Sequence, residues 1–168
     1  MKKLIIVRHG KSSWEYDGIL DIDRPLKQRG IRNGYEMAQR LSEADIVPDL
    51  IYSSSASRAL HSAVLFCRQF KLPLSKLNII DEFYHYDSNG ILDTIKKASD
   101  EIESLMIFGH NPVFTEIADE FTKQEIDNVP TTGVVMLSFD VEHWMSISPQ
   151  NVVDEIFDYP KNKTTNFK

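Results

Sequence analysis

Apolar residues along the chain fall into short solid runs that alternate with stretches of helical spacing. Leu4-Ile5-Ile6-Val7 has no polar residue among its branched aliphatics, the pattern of a strand buried on both faces in a sheet covered by helices. Leu50-Ile51-Tyr52, Leu77-Asn78-Ile79-Ile80 and Leu105-Met106-Ile107-Phe108 predict three more strands. Between them apolar residues recur at three- and four-residue intervals: Met37, Ala38 and Leu41, then Leu60, Val64 and Cys67, then Ile91, Leu92, Ile95 and Ala98. These predict a helix interrupted by Gly30 and running through Leu41, one over 56–70, and one opening near Ser88 or Asn89, either a suitable N-cap. Phe114, Ile117, Ala118 and Phe121 predict a fourth helix, with Pro112 at its first position and Asn111 as its N-cap. Val134 to Phe139 reads as a fifth strand, and Trp144 to Ser148 alternates like the return strand of a hairpin.

Repeated strand-helix units followed by a hairpin predict an α/β fold, a three-layer sandwich whose mainly parallel sheet has helices on both faces and a C-terminal antiparallel hairpin. The domain is assigned to residues 1–150. Residues 151–168 are left as a C-terminal tail, since periodicity fades there, and its end from Lys161 to Asn166 is expected to fray.

The chemistry lies in the residues just past the strands. The first strand empties into Arg8-His9-Gly10, the second into Ser53-Ser54-Ser55 with Arg58 in the first turn of the next helix, and the fourth into Gly109-His110. In open α/β sheets the edge outside the carboxyl ends of the strands is where ligands bind. A cation in a first helical turn opposes the helix dipole, and such a locally unfavourable choice is expected where function overrides stability. His110 would lie beside a helix N-terminus, where N–H groups face an anion. The polar loop from Ser13 to Pro25 is long enough to be functional; Trp14 and Tyr16 on it either cover the site or pin the loop to the body of the domain.

Two arginines and two histidines at one edge suit a phosphoryl group. Arginine presents a fixed fork to phosphate oxygens, and a neutral imidazole can attack phosphorus. Composition narrows the setting. With 19 Lys and Arg against 25 Asp and Glu the net charge is −6, which argues against nucleic acid or an anionic membrane as the main partner and makes any anion site a local concentration of positive charge. The single cysteine, Cys67, excludes an internal disulfide and fits a reducing compartment. No apolar run approaches the roughly 18 residues of a membrane span, so a soluble cytoplasmic protein is expected. Neither a Cys pair nor a His-x-x-x-His spacing points to zinc. Cys67 opens no phosphate loop, there is no Gly-x-x-x-x-Gly-Lys segment, and His61 and His143 are read as structural or solvent residues.

Taken in order, Arg8-His9-Gly10, the Arg58 of Ser53-Ser54-Ser55-Ala56-Ser57-Arg58, and Gly109-His110 resemble the histidine phosphatase superfamily, also called phosphoglycerate mutase-like. Within it the chain is most similar to the SixA-type phosphohistidine phosphatases, through Arg24-Pro25-Leu26, Gly30, Pro48-Asp49-Leu50-Ile51, Gly109-His110-Asn111-Pro112, Thr132-Gly133 and the small size, over about residues 2 to 140. The resemblance implies a metal-independent phosphatase without cofactor, with His9 as the phosphorylated nucleophile and Arg8, Arg58 and His110 as the phosphate pocket. Arg24 and Asn111 are assigned as further substrate contacts. Larger members carry an acidic general acid after the third strand; here Glu82 is the candidate, with His85 as a surface alternative. The chain departs from the family pattern at Ser55, Lys27 and Val113, where proline, threonine and glycine are common, and none of these removes a reacting group. The implied substrate is protein phosphohistidine. A small phosphate ester and a non-catalytic phosphate-binding module are the alternatives.

Overall fold

A computed structural model of the chain describes residues 1–85 and 87–167. Six strands form one sheet: β1 (Lys2–Arg8), β2 (Leu50–Ser53), β3 (Leu77–Ile79), β4 (Ser104–Gly109), β5 (Val134–Phe139) and β6 (Val152–Asp158), in the order β3-β2-β4-β1-β5-β6. The pairs β1/β4, β2/β4 and β2/β3 are parallel, whereas β5 runs antiparallel to both β1 and β6. Three helices connect the parallel strands, α1 (Gln28–Glu43), α2 (Ser57–Phe70) and α3 (Ser88–Lys96), and a fourth, α4 (Val113–Phe121), leads from β4 to the antiparallel β5; all four flank the sheet.

The solid apolar run of β1 is explained by its place between two cores. Leu4 and Ile6 point into one core with Ile91, Ile95, Phe114 and Ile117 of α3 and α4; Ile5 and Val7 point into the other with Met37, Leu41, Ala63 and Phe66 of α1 and α2. Period-two alternation then serves both faces at once, and no position is left for a polar side chain. The same division holds for β4, with Leu105 and Ile107 on one side and Met106 and Phe108 on the other.

Several sequence expectations are corrected. The return strand is not 144–148: Trp144 to Ser146 is a 3-10 turn whose indole is fully buried and donates to the Ile102 carbonyl (2.8 Å), so its apolar spacing reflects an anchored turn. The return strand is β6, inside the segment set apart as a tail. Beyond it the chain stays hydrogen-bonded and packed against the domain through Phe167. The fully buried Asp158 carboxylate accepts from the backbone N–H of Tyr159 (2.9 Å), Asn162 Nδ2 (2.9 Å) and Thr165 Oγ1 (3.1 Å), and Phe167 packs into the α1/α2 core. Lys168, the last residue assigned to that tail, lies outside the described residues, as does Tyr86 of the loop before α3. The N-cap of α3 is Asp87, which accepts from the Gly90 N–H (2.9 Å), and α4 begins at Val113 with Pro112 before it.

Candidate active site

Register builds the floor of the site. Arg8 pairs with Gly109 across β1 and β4, and Ser53 pairs with Phe108 across β2 and β4. The residues that follow, His9 and His110, therefore emerge at one level of the carboxyl edge, with Ser54, level with Gly109, one residue below. The imidazoles of His9 and His110 lie with ring centroids 5.1 Å apart. Gly10 N–H donates to Ser62 Oγ (2.9 Å), which donates in turn to the Arg58 carbonyl (2.7 Å), so the turn after β1 is tied to the first turns of α2. Gly30 lets α1 press against the same turn: a Cβ there would lie 2.4 Å from the Lys11 carbonyl oxygen, a contact that any other residue would have to break.

The proton on His9 can be assigned from its partner. Nδ1 lies 2.7 Å from the Gly10 carbonyl oxygen, and a carbonyl can only accept, so Nδ1 carries the hydrogen. Nε2 is left with its lone pair. Burial, with the charges of His110, Arg58 and Arg8 acting in the same direction, pushes the His9 pKa down to about 3 against the Gly10 hydrogen bond. Burial first and then Arg58 push His110 down to about 4. Both rings are neutral at pH 7, and His9 presents an unprotonated nitrogen.

Donors surround it. Arg8 gives Nη1 to the Val129 carbonyl (2.9 Å), and burial lowers its pKa. His110 Nε2 lies 2.8 Å from Ser54 Oγ. Among the described residues, four side-chain polar atoms are enclosed without a partner, and three of them, Arg8 Nε, His110 Nδ1 and Thr132 Oγ1, belong to residues that bracket His9. Thr132 itself donates its N–H to the carbonyls of Arg8 and His9. Native structures rarely leave such atoms unpaired, and three of the four gather around His9.

Arg58, buried in the first turn of α2, meets an unexpected neighbour. Its Nη1 donates to the Asp21 carbonyl (2.7 Å) and its Nη2 to Asp21 Oδ2 (3.0 Å). Asp21 also accepts from Tyr84 Oη at Oδ2 (2.7 Å) and from Arg24 Nη1 at Oδ1 (3.0 Å). The Tyr84 hydroxyl foremost, then Arg24 and Arg58, hold the Asp21 carboxyl down to about 2. Asp21 takes two of the five N–H groups of the Arg58 guanidinium, and Arg58 Nε makes no hydrogen bond among the described residues. The carboxylate thus braces the guanidinium from one end while part of its donor fork stays available.

The sequence-derived residues accordingly divide. Arg8, His9, Arg58 and His110 share the carboxyl edge of the sheet. Arg24 is buried with its nitrogens committed to Asp21, the Ser13 carbonyl (3.0 Å) and Ser12 Oγ (2.5 Å), so it holds the loop together and offers no free fork to a substrate. Asn111 spends its amide on Asn128 Oδ1 and the Val129 carbonyl (both 3.0 Å) and accepts from Thr115 Oγ1 (2.9 Å); it fixes the 128–129 loop and does not cap α4. Glu82 sits exposed on the 3-10 turn Asp81–Tyr84 and makes no side-chain hydrogen bond among the described residues; Phe83 of that turn is buried in the core, and the residue that faces the site is the half-buried Tyr84, whose ring lies 5.8 Å from that of His110. His85, also exposed, packs edge-on against Tyr84. Trp14 and Tyr16 are 75% and 59% exposed, and Trp14 meets the body of the loop by stacking on the Arg24 guanidinium. Asp21, Ser54 and Tyr84 escaped the sequence reading. The three-residue spacing of Asp21 and Arg24 was the one available signal. No group of three or more His, Cys, Asp or Glu side chains able to hold a metal occurs among the described residues, and no described helix is long and apolar enough to cross a membrane.

Comparison with known proteins places the chain in one family. The family model of the histidine phosphatase superfamily (branch 1) matches residues 4–106. An uncharacterized chloroplastic protein of Arabidopsis thaliana is 30% identical over 146 residues, 82% of this chain and 67% of its own length. Phosphoserine phosphatase 1 of Hydrogenobacter thermophilus is 36% identical over 96 residues, covering 55% of this chain and 44% of that one. A crystal structure assigned to the phosphohistidine phosphatase SixA of Agrobacterium tumefaciens superposes with a TM-score of 0.77 at 25% identity, over 92% of this chain and 97% of that one.

Proposed function

The chain belongs to the histidine phosphatase superfamily (branch 1), and from that premise and the site geometry we propose a phosphatase that transfers the phosphoryl group of protein phosphohistidine to Nε2 of His9 and then to water. The observation that carries the reading is the Nδ1 hydrogen bond of His9 to the Gly10 carbonyl, which leaves Nε2 unprotonated at the edge where Arg8, Arg58 and His110 converge. In the first step the Nε2 lone pair forms the N–P bond as the bond from phosphorus to the substrate's imidazole nitrogen breaks, and that nitrogen keeps the electron pair and is protonated from solvent. In the second step water attacks phosphorus, the N–P bond to His9 breaks, and inorganic phosphate leaves with His9 restored as neutral imidazole. Arg8 and Arg58 supply positive charge to the oxygens that carry the developing negative charge, which is the main catalytic demand of phosphoryl transfer. Tyr84 and Asp21 hold Arg58, and neither step needs a strong protein acid, because an imidazole leaves more readily than an alkoxide.

A small phosphate ester is the second reading, favoured by the likeness to a protein named phosphoserine phosphatase over 96 residues. Turnover of a phosphohistidine carrier protein measured beside a panel of sugar and amino-acid phosphates separates the two. The expected result is a kcat/KM on the carrier that exceeds that on every small ester. A small ester as the preferred substrate contradicts it, and absence of turnover on all of them, p-nitrophenyl phosphate included, would leave a phosphate-binding module.

A further inference from the structure

Seven consecutive residues, Trp14 to Leu20, stand in solvent beside the site, and four of them are large and apolar: Trp14, Tyr16, Ile19 (38% exposed) and Leu20 (68% exposed). The loop is not free to turn them inward, because it is tied at both ends. At its base Ser12 bridges to Leu26, the Ser13 N–H donates to the Pro25 carbonyl (2.9 Å), and the Lys27 N–H donates to the Lys11 carbonyl (2.8 Å). At its far end Asp21 is held by Arg58, Arg24 and Tyr84. Between them the Arg24 guanidinium carbon lies 3.2 Å from the centroid of the Trp14 ring, and Lys27 pairs with Glu15 (2.8 Å). The contacts that brace Arg58 therefore also hold these apolar side chains out in water. Four large apolar side chains kept exposed within one short loop suit an interaction surface.

Charge and place say what fits it. Asp17 and Asp23 are exposed on the same loop, and among the described residues their carboxylates make no ion pair or hydrogen bond; Asp81 and Glu82 add exposed negative charge on the turn that carries Tyr84. An occupant with apolar contacts ringed by basic side chains is complementary to this rim. The rim is also continuous with the pocket, since Asp21 belongs to both.

We propose that the rim from Trp14 to Leu20, with Asp17 and Asp23, is the docking surface for a folded phosphoprotein whose phosphohistidine enters the pocket and whose neighbouring surface is apolar and basic. This rests on the protein-phosphohistidine reading and names the surface through which such a substrate is recognised. A small ester fills the pocket alone, whereas a folded carrier brings surface of its own to the rim.

The test uses the full chain and a Tyr16→Ser/Leu20→Ser double variant, because neither side chain takes part in holding Arg58. The probes are a phosphocarrier protein phosphorylated on its histidine with phosphoramidate, free phosphohistidine, and p-nitrophenyl phosphate. The expected result is a KM for the carrier raised about tenfold or more in the variant, kcat retained, and both small substrates turned over as before. Added salt should raise KM for the carrier alone. Unchanged kinetics on the carrier overturns the proposal, and equal losses on all three substrates overturn it by making the loop part of the pocket. A parent protein that hydrolyses the small substrates but not the carrier refutes docking while leaving the phosphatase reading intact. Inactivity of the parent on all three refutes that reading, and the docking surface with it.

Discussion

The floor of the site hangs from β1 and β4, whose apolar side chains are all buried, whereas its rim hangs from a loop with eight exposed residues in a row, Trp14 to Asp21. The two regions place charge by different means. On the floor, strand register sets His9 beside His110, and desolvation keeps both rings neutral. On the rim, Asp21 gathers Arg24, Arg58 and Tyr84 through side-chain hydrogen bonds, so two cations are partly balanced by one carboxylate. A rigid sheet edge can thus position a nucleophile through its backbone. A loop needs an ion network to do the same for a guanidinium. Substitutions on the floor should therefore cost chemistry outright, and substitutions on the rim should cost alignment.

The sharpest way to break this comparison is at Arg58, where floor and rim meet. Arg58→Lys should be nearly as harmful as Arg58→Ala, since an ammonium cannot both engage Asp21 end-on and keep a fork for phosphate, and turnover should fall on the order of 10²-fold or more in either variant. Steady-state kinetics with p-nitrophenyl phosphate decides it; full activity in the lysine variant would make Arg58 a surface cation.

Asp21→Ala should have a smaller effect that tells rim from floor. Loss of the brace should lower kcat about tenfold through misalignment of Arg58, while tungstate, a tetrahedral anion, binds at least as tightly because a negative charge has left its neighbourhood. Competition of tungstate against substrate measures both. Weaker tungstate binding at unchanged kcat would give Asp21 a different role.

The smallest effect concerns stability in acid. The unfolded chain binds protons at His9 and His110 near pH 6.5, but the folded protein holds them neutral until about pH 3 and about pH 4. The stability they contribute is complete above pH 6.5 and is lost as pH falls toward those folded values. Each histidine should remove about 1.4 kcal/mol per pH unit across that window. Denaturant unfolding between pH 7 and 4.5 should therefore show a shallower decline in His9→Gln than in the parent; identical slopes would mean that His9 takes up its proton in the folded state.

Legibility followed the same divide between floor and rim. Strands β1, β4 and β5 stood out because burial on both faces leaves solid apolar runs, β2 through its short run Leu50-Ile51-Tyr52 although its burial alternates, and the ends of β1 and β4 drew attention because they set Arg8, His9 and His110 at a sheet edge. The return strand β6 did not: it carries Asp154 and Glu155 and an exposed Val153, so an edge strand read as a tail, while the buried turn at Trp144 imitated strand alternation. Arg24 and Asn111 are read as substrate contacts from sequence because they stand in motifs of the family resemblance, and only the folded loops reveal that each nitrogen of Arg24 and the amide of Asn111 already has a partner. Asp21 had no periodic signal, since its importance comes from a loop crossing to α2.

The proposed catalysis turns on a covalent bond between phosphorus and His9 Nε2. Rapid quenching of the parent protein with phosphorus-labelled substrate in alkali, where phosphohistidine survives, should trap label on the chain, and acid should then release it. The His9→Ala variant should take up none. Label that withstands acid, or label that persists without His9, would contradict this mechanism and assign the nucleophile to another residue.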